Sequence, residues 1–563
     1  MLEIKYGLID VTAADDAVSE CTDTQEYADI QAIHTPDLDR LTVKAFATLE
    51  QNQWILDGSR KAFPDNPMEE NWGLWSKQMS DENGVFSVPI ALTINFTMNH
   101  TSEGLTLYFR PDTDDYAAEM QIDYYNSAGE LILSKTFAPD AAEYFAAGIA
   151  ENYRKIVLTF RKTSLPYRYL KLTEIKYGAV KVFDEDSIIS ADILEEVDVT
   201  GAELSINTLE FTVYTSDFQL LDPAGVYAAL QQKQAIAVTQ KDEEGVETSF
   251  GTFFLEEPYS EDDDTTTMQC VDFLGVIDKT DFLGGIYFAK NAGDLLAEIM
   301  ASAEVEEDEY EATPELAAKS ITGRIPICTH REALQQWAFA VGAVVDCSRG
   351  KKIRIYEPET AIYGTISHDD KFIGHKVSLK ALVTGIEVTT HKYAASADTS
   401  NAFEGTLSAG THLVTFSEPY SSLSVSGAII TESGANYARV TVQTAGTVVI
   451  TGKRYEDSTG IVGIYASELP VNAKPNILSV DSGATLINAD NAPEIASRLY
   501  DYYQNRYFDE GEIIPGKQKV GHVWKMNSLN GRDLEGYVNS LEIDLVTETA
   551  AIKLTGKPAE REQ

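Results

Sequence analysis

Residues 44–178 are dominated by short runs in which apolar and polar residues alternate. The run ALTINFTM places Leu92, Ile94 and Phe96 on one face of a strand, and the run LTLYF repeats the pattern. The segment MQIDYYNSAGELILSKTF predicts a hairpin that turns at residues 126–129, where turn-forming residues cluster. With KIVLTF and YRYLKLTEIKYG there are six or more short strands, which predict a β-sandwich.

From residue 179 onward the sequence pattern changes. In ELSINTLEFTVYTSD the residues Leu209, Phe211 and Val213 alternate with polar neighbours. The segment QAIAVTQKDEEGVETSFGTFFLEEP predicts a long hairpin around residues 242–245, and TTTMQCVDFLGVID predicts a further strand. These strands together predict a small barrel or a strongly twisted sheet.

Two helices follow, and the second has clear start and stop signals. The segment NAGDLLAEIMASA carries an apolar helical face. In ICTHREALQQWAFAVGAVVDCSRGKKIRIYEPE, Thr329 and Glu332 form a capping box, and Gly342 is placed to end the helix. The buried face predicted between them is Leu334, Trp337, Ala338 and Val341. AVVDC and KIRIY then predict a hairpin that turns at residues 348–350.

The last third of the chain contains a different β pattern and one more helix. Residues 396–455 alternate around Gly and Ser turns, which predicts a small all-β module. NAPEIASRLYDYYQNRYF predicts an amphipathic helix with Pro493 near its start and an apolar face made of Ile495, Leu499, Tyr502 and Tyr503. VNSLEIDLVTETAAIKLTG predicts a final hairpin.

Length and composition are those of an ordinary globular protein with several domains. A chain of 563 residues exceeds what one hydrophobic core supports, and its 44% hydrophobic and 24% charged residues are typical of folded proteins. No stretch reaches the roughly twenty apolar residues of a membrane-spanning helix, and the N-terminus lacks the pattern of a secretory signal. The four cysteines have no paired spacing, so we expect reduced thiols and synthesis in a cytoplasm.

The net charge is unusual. There are 44 Lys and Arg against 89 Asp and Glu, which gives a net charge of −45. Such a surface repels phosphate backbones, so we expect no sequence-specific nucleic-acid binding. The charge is explained either by solubility or by the lining of a passage through which DNA slides without sticking.

Residues 44–178 resemble the galactose-binding-like, discoidin-type jelly rolls, through WILDGS (54–59), NWGLWS (71–76) and YRYLKLTEIKYG (167–178). The pentapeptide EIKYG occurs twice, at residues 3–7 and 174–178. The resemblance implies that the second copy is the closing strand of this sandwich. The first copy would then be a related strand just before it, with the sandwich inserted between two parts of another domain.

A second resemblance covers most of residues 175–385 and 490–563. ELSINTLEFTVYT, GTFFLEE, FLGGIY, IPICTHREALQQWAFAVGAVVDCSRGKKIRIY and SRLYDYYQNR resemble the hub proteins of bacteriophage tails and related injection machines. This resemblance implies a mainly β, multidomain (α+β) fold. The hub would consist of tail-tube-like β-barrel domains with short helices. An inserted β-sandwich jelly roll and a small all-β module would be added to it. The predicted divisions are 1–43 (N-terminal strand or strands of the hub), 44–178 (inserted sandwich), 179–290 (barrel hub domain), 291–390 (helix-and-hairpin hub domain), 391–475 (all-β module) and 476–563 (helix and hairpin completing the hub).

The sequence contains no recognisable catalytic motif. HExxH, G-x-S-x-G, the P-loop and G-x-G-x-x-G are all missing from the sequence. Cys328, His330 and Cys347 offer three zinc ligands at poor spacing where about four are needed, so a buried helix cap is the favoured interpretation. A thiol protease is disfavoured because Cys347 is expected to lie within the hairpin as an inert core thiol. We therefore expect a protein that is not an enzyme and has no cofactor.

The sequence contains candidates for two kinds of ligand site. The acidic clusters at 111–116 and 260–267 are candidate calcium sites, and the first is favoured because jelly rolls of this type often carry a structural calcium ion. Trp72 and Trp75 flank two residues in an expected loop, where an exposed ring would stack on a sugar. The alternative is that both tryptophans plug the open end of the sandwich.

The sequence therefore predicts a structural virion protein, the hub at the tip of a phage or prophage tail. The resemblance implies a homotrimer that contacts the hexameric tail tube, the distal tail protein, the tape-measure protein and a central fibre or spike. A host surface glycan is a further expected partner. The alternative function is a carbohydrate-active cell-surface enzyme or an adhesin. The missing export signal argues against the enzyme, and the helix-hairpin segments stay unexplained in an adhesin.

Overall fold

The computed structural model is mostly β-structure in two compact units, which confirms the predicted mainly β, multidomain class. It describes residues 2–26, 28–35, 47–58, 60, 73–110, 115–214, 235–241, 246–262, 264–350, 352–480, 483–527 and 533–559. The N-terminal unit is Ile4–Phe183 with Asp217–Ile236, and the C-terminal unit is Met1–Glu3, Asp184–Ser216 and Ala237–Gln563. Among the described helices, none has the length and apolarity needed to cross a bilayer.

The N-terminal unit is built from strands with two short helical segments. In chain order these are β1 (Leu2–Ile9), α1 (Val11–Asp16), β2 (Val18–Cys21), a 3-10 turn (Ala32–His34), β3 (Leu74–Met79), β4 (Val85–Phe109), β5 (Ala117–Tyr125), β6 (Leu131–Phe137), β7 (Glu143–Thr163), β8 (Tyr169–Lys176) and β9 (Gly178–Asp184). The predicted hairpin is present, because β5 and β6 pair antiparallel around the turn at residues 126–129.

One bent sheet encloses the core of this unit. Its order is β3-β8-β4-β7-β5-β6, with β2 also paired to β4. The pairing of β4 with β7 shifts register repeatedly between Asn95 and Gly104, and such irregularities bend strands. The halves of the sheet on either side of the bend face each other. The Phe109 ring, in the second half of β4, packs against the Phe160 ring, in the second half of β7, with the ring centres 6.4 Å apart. The unit is therefore a two-layered sandwich whose long strands contribute to both layers.

Both copies of EIKYG bury their isoleucine and tyrosine side chains. In the first copy Ile4 and Tyr6 are buried in β1, and in the second Ile175 and Tyr177 are buried at β8 and beyond. β9, which continues from the second copy, pairs with β1. The chain therefore enters and leaves residues 10–177 through neighbouring strands.

The C-terminal unit contains most of the remaining elements. Its first part comprises β10 (Ile188–Glu196), β11 (Thr208–Tyr214), β12 (Ala235–Lys241), β13 (Glu247–Tyr259), β14 (Thr265–Val271), α2 (Phe273–Ile277), β15 (Asp281–Phe282), β16 (Gly285–Asn291), α3 (Ala292–Ser302), β17 (Tyr310–Ala312), α4 (Pro314–Ala317), β18 (Ser320–Ile325), β19 (Cys328–Thr329), α5 (His330–Val341), β20 (Val344–Asp346), β21 (Ile353–Tyr356), β22 (Ile362–Ile366) and β23 (Lys376–Leu379). Its second part comprises β24 (Gly385–Leu407), β25 (Gly410–Thr415), β26 (Tyr420–Ser426), β27 (Ile429–Ser433), β28 (Tyr437–Val442), β29 (Gly446–Tyr465), β30 (Ile477–Val480), α6 (Ala492–Tyr503), β31 (Tyr507–Ile513), β32 (Val523–Met526), β33 (Leu534–Asp544) and β34 (Thr549–Pro558).

The strands predicted as a barrel over 179–290 form an open sheet instead. Its order runs β23-β31-β34-β33-β10-β11-β14-β13-β12, and no closed barrel is found among the described residues. The reason is that β10 pairs with a strand from outside residues 179–290. One edge pairs with β11 and the other with β33, so these strands extend the sheet of the C-terminal hairpin.

Beside this sheet, α3 and α5 share a core that matches the sequence pattern closely. The capping box of Thr329 and Glu332 is formed, and Gly342 ends α5 with a φ of 84°. Leu334, Trp337, Ala338 and Val341 are buried as predicted. The indole Nε1 of Trp337 donates a hydrogen bond of 2.8 Å to the carbonyl of Ala292, which fastens α5 to the start of α3.

The all-β module is carried on one long hairpin. β24 and β29 pair antiparallel from Gly385–Tyr465 to Leu407–Gly446, so β24 crosses the boundary predicted at residue 391. Strands β25 to β28 surround a small separate core at the far end of this hairpin. The buried amide of Asn436 donates two hydrogen bonds of 2.9 Å, to the carbonyls of Leu283 and Ile325. The module is thereby attached to the loops beside β15 and β18 as well as to its hairpin.

Candidate functional site

Trp75, one of the two tryptophans of the predicted glycan site, is not exposed as the stacking hypothesis requires. Trp75 lies in β3 rather than in a loop and is only 2% exposed. Its backbone pairs with Lys171 of β8, and the Lys171 ammonium lies 5.3 Å from the centre of its ring. This ring is therefore not accessible to a sugar. Its burial fits the alternative interpretation, in which the tryptophans plug the open end of the sandwich. Trp72 lies outside the described residues.

Lys171 is the centre of a buried charge cluster next to Trp75. Its side chain is 2% exposed, and its Nζ lies 2.8 Å from Glu50 Oε1 and 3.3 Å from Asp115 Oδ2. Arg168 approaches Asp115 at 3.8 Å. Two cations and two carboxylates are therefore buried together. A buried charge is strongly destabilising when it is unpaired, so each of these charges is stabilised by the opposite charges beside it. It is a structural network that sequence patterns do not reveal, because its members come from three separate segments.

The candidate calcium sites have no supporting geometry in the described residues. Of the cluster at 111–116, residues 111–114 lie outside the described part, and Asp115 faces Lys171 and Arg168. In the cluster at 260–267, Asp262 accepts hydrogen bonds from the backbone of Asp264 and Thr265, which closes a turn. In the described residues, no group of three or more metal-ligating side chains is arranged around a common point.

The cysteine and histidine cluster has a structural role. His330 is the first residue of α5; its Nδ1 donates to the carbonyl of Thr280 at 2.9 Å, and the Ser302 hydroxyl donates to its Nε2 at 3.0 Å. Burial raises the pKa of the Cys328 thiol to about 12 and holds the pKa of Cys347 well above its ordinary value. Cys347 follows β20 instead of lying within a strand, but it is an inert buried thiol as predicted.

Asp272 is a titratable group that sequence analysis did not single out. It caps α2 and accepts hydrogen bonds from the backbone N–H groups of Asn207 and Gly275, at 3.0 and 3.2 Å. Burial raises its pKa from 3.8 to about 7, against the opposing effect of those hydrogen bonds. A perturbed carboxyl often marks a functional site, but here the buried helix cap accounts for it.

Because the native pKa of Asp272 is raised, protonation of Asp272 should stabilise the folded chain. This contribution should be complete below the unfolded value near 3.8 and should be lost as the pH rises to about 7. At about 1.4 kcal/mol per pKa unit, it amounts to a few kcal/mol at most. Asp272→Asn should abolish this term, so the difference in unfolding free energy between the two proteins should change between pH 4 and 8. A constant difference measured by denaturant titration across that range would contradict the assignment.

The C-terminal unit contains a cavity of about 1030 Å³, which we call the basic cavity. Its lining residues come from several elements: Gln240, Lys241, Thr248, Ser249, Phe250, Arg349, Tyr363, Ile514, Pro515, Gly516, Lys517, Lys519, Ile543, Asp544, Leu545 and Glu548. The turn after β20, the ends of β12 and β33 and the loop after β31 thus meet around one space. No local sequence motif predicts this cavity, because its lining segments become neighbours only in the tertiary structure.

Cations are concentrated in the basic cavity although the chain as a whole is acidic. Four of its lining side chains are Lys or Arg, against two carboxylates. Arg349 is held by the buried Glu195, with Nε and Oε1 2.8 Å apart, and its guanidinium lies over the Phe250 ring at 5.2 Å. Lys517 and Lys519 make no ion pair in the part of the chain that the structure describes. The cavity can therefore offer unpaired ammonium groups to an anion.

Comparison with known proteins gives structural neighbours only. No family model matches the chain, and no curated protein matches it significantly. Similar solved structures include the 43 kDa tail protein of prophage MuSo2 from Shewanella oneidensis, with 12% identity, a TM-score of 0.39, and coverage of 67% of this chain and 95% of that one.

Two further neighbours have similar values. A tail protein from Neisseria meningitidis MC58 has 9% identity and a TM-score of 0.38, covering 66% of this chain and 92% of its own. Prophage tail protein gp18 from Listeria monocytogenes EGD-e has 10% identity and a TM-score of 0.38, covering 68% and 92%. All three are named as tail proteins.

Proposed function

We propose that this chain is a structural, non-enzymatic protein of a phage or prophage tail and that it forms the hub at the tail tip. Three copies would assemble into a ring that encloses the DNA channel. The ring would adapt the hexameric tail tube to the trimeric parts of the tip. Its neighbours would be the tail tube, the distal tail protein, the tape-measure protein and a central fibre or spike.

One observation carries this proposal. The two stretches that resemble tail hub proteins, 175–385 and 490–563, are far apart in sequence but join in a single sheet. β10 pairs with β33 in continuous register, from Asp192–Asp544 to Glu196–Ser540. The all-β module between these stretches projects on the β24–β29 hairpin, so it leaves the shared sheet uninterrupted. This arrangement is expected of one hub body with a module inserted into it.

The charge of the chain is compatible with the same role. A net charge of −45 would give a ring a negative lumen, and a negative lumen does not retain DNA. Closed rings also bury their subunit contacts without leaving free edges. A host-glycan-binding role for the N-terminal unit remains a secondary prediction, and with Trp75 buried it depends on Trp72.

The proposal is tested by purifying the full chain, measuring its mass in solution and imaging it by electron microscopy. We expect a three-fold ring with an open channel, alone or when tail-tube protein is added. An unrelated protein of similar net charge serves as the control for non-specific association with the tube protein. A chain that stays monomeric and does not bind tube protein would contradict the hub assignment. Polysaccharide cleavage above background would favour the carbohydrate-active alternative.

A further inference from the structure

We propose that the basic cavity binds an acidic segment of a partner protein, whose carboxylates contact Lys517 and Lys519 while an apolar side chain packs on Ile514 and Tyr363. The inference goes beyond the tail role and does not depend on it. It is based on the charges, the exposed apolar surface and the shape of one part of the C-terminal unit.

The two lysines are available where other cations of the cavity are not. Lys517 is exposed and Lys519 is half-buried, and neither has a carboxylate within 4 Å in the described residues. Arg349, by contrast, is paired with Glu195, and Lys241 lies 3.5 Å from Glu3. An incoming carboxylate would therefore find the ammonium groups of Lys517 and Lys519 without displacing an existing ion pair.

The surroundings of Lys519 favour an added anion. Burial lowers the pKa of Lys519, and the positive charges of Arg354 and Arg349 lower it further. Asp346 and Glu195 offset part of this repulsion, but they are themselves bound to Arg354 and Arg349. A ligand carboxylate would relieve repulsion among three cations, and charge-assisted hydrogen bonds to ammonium groups are the stronger kind.

Apolar surface lies beside these charges. The side chains of Ile514 and Tyr363, both in the cavity wall, are 50% and 56% exposed. Phe372 and Ile373 lie on the segment next to Ile514, because the Phe372 N–H donates to the carbonyl of Glu512 and the Ile514 N–H to that of Asp370. Phe372 and Ile373 are also exposed. A ligand that carries only charge would leave this apolar surface in water, whereas a polypeptide segment would cover it.

A nucleic acid fits the cavity less well than a polypeptide. Asp544 and Glu548 lie in the wall of the cavity. The Asp544 carboxylate accepts hydrogen bonds from the backbone N–H groups of Val546 and Thr547. The Glu548 carboxylate accepts one from the side-chain amide of Gln240. A continuous phosphate backbone would meet these carboxylates and the −45 charge of the chain. A short acidic segment places its carboxylates only where the lysines are.

The experiment uses the full chain and a fluorescein-labelled peptide of four glutamates around one leucine, with binding followed by fluorescence anisotropy. The control peptide has glutamine in place of glutamate. The variant is Lys517→Glu with Lys519→Glu, and its matched control is Lys392→Glu with Lys474→Glu. The control changes the net charge equally at exposed lysines outside the cavity. Thermal unfolding checks that each protein is folded.

We expect the acidic peptide to bind the natural chain, to bind the cavity variant at least tenfold more weakly, and to bind the control variant within twofold of the natural chain. Binding should weaken as salt is added.

Equal losses in both variants would overturn the proposal in favour of overall charge. Failure of the natural chain to bind the peptide would overturn it, as would tighter binding of a DNA duplex of equal charge. Self-association that only the cavity variant loses would assign the cavity to a second copy instead.

Discussion

Replacing Lys171 with methionine should destabilise the N-terminal unit by about 3–5 kcal/mol, the usual cost of removing one partner from a buried ion pair. Methionine is unbranched and fills much of the space of the lysine stem, so the loss should come mainly from charge. The carboxylates of Glu50 and Asp115 would stay buried, since their side chains are 1% and 2% exposed. The cation beside the Trp75 ring would also be lost.

Lys171→Met would remove an ammonium that lies 2.8 Å from Glu50 and 3.3 Å from Asp115. The Arg168 side chain also approaches Asp115, at 3.8 Å. Glu50 would keep the Tyr169 backbone N–H at 2.9 Å and the Thr48 hydroxyl at 2.6 Å. Hydrogen bonds of this kind stabilise a carboxylate, but neither donor carries a positive charge. The uncompensated charge should therefore open the end of the sandwich near β3 and β8.

Native-state hydrogen exchange is the suitable measurement, because it reports the opening of each unit separately. Amides of β3, β8 and β4 should lose about a hundredfold or more in protection, since 1.4 kcal/mol corresponds to a factor of ten. Lys135→Met, at an exposed lysine of the same unit, should have little effect. Adding Glu50→Gln and Asp115→Asn to Lys171→Met should restore part of the loss. Unchanged protection in Lys171→Met would show that the cluster does not support the unit.

Local patterns predicted the elements of this fold well. The capping box at Thr329 and Glu332, the Gly342 stop and the buried face of α5 are set by residues within four positions of each other, so they can be inferred without tertiary structure. The same holds for Leu209, Phe211 and Val213 in β11, whose alternation marks a strand with one buried face. Periodicity indicates which side chains face a core.

Periodicity does not indicate which strands become neighbours. A strand such as β10 has two hydrogen-bonding edges, and nothing within residues 188–196 specifies that one edge pairs with β33. The sequence predicted a small barrel or a strongly twisted sheet, and the described strands form an open sheet rather than a closed barrel. The candidate site was hidden for the same reason, because Arg349, Lys517 and Tyr363 become neighbours only through the fold. Trp75 failed as an exposed ring because β3 is a strand that pairs with β8.

Replacing Trp337 with alanine should destabilise the core shared by α3 and α5 by about 3–5 kcal/mol, which is typical for removing a buried tryptophan. Trp337 is completely buried, so its loss leaves a cavity that the surrounding side chains fill only in part. The Ala292 carbonyl, which accepts the indole N–H at 2.8 Å, would also lose this hydrogen bond. Both effects act at the point where α5 meets the first residue of α3.

The two effects can be separated with Trp337→Phe, which keeps much of the apolar volume but removes the donor. We expect Trp337→Phe to lose less stability than Trp337→Ala, and Phe288→Ala, at a side chain that is 57% exposed, to lose little. Hydrogen exchange of the α3 and α5 amides, together with calorimetry, would measure all three. Equal effects of the phenylalanine and alanine variants would assign the stability to the hydrogen bond rather than to packing. A loss below about 1 kcal/mol in Trp337→Ala would mean that the core predicted from the α5 pattern does not hold these helices together.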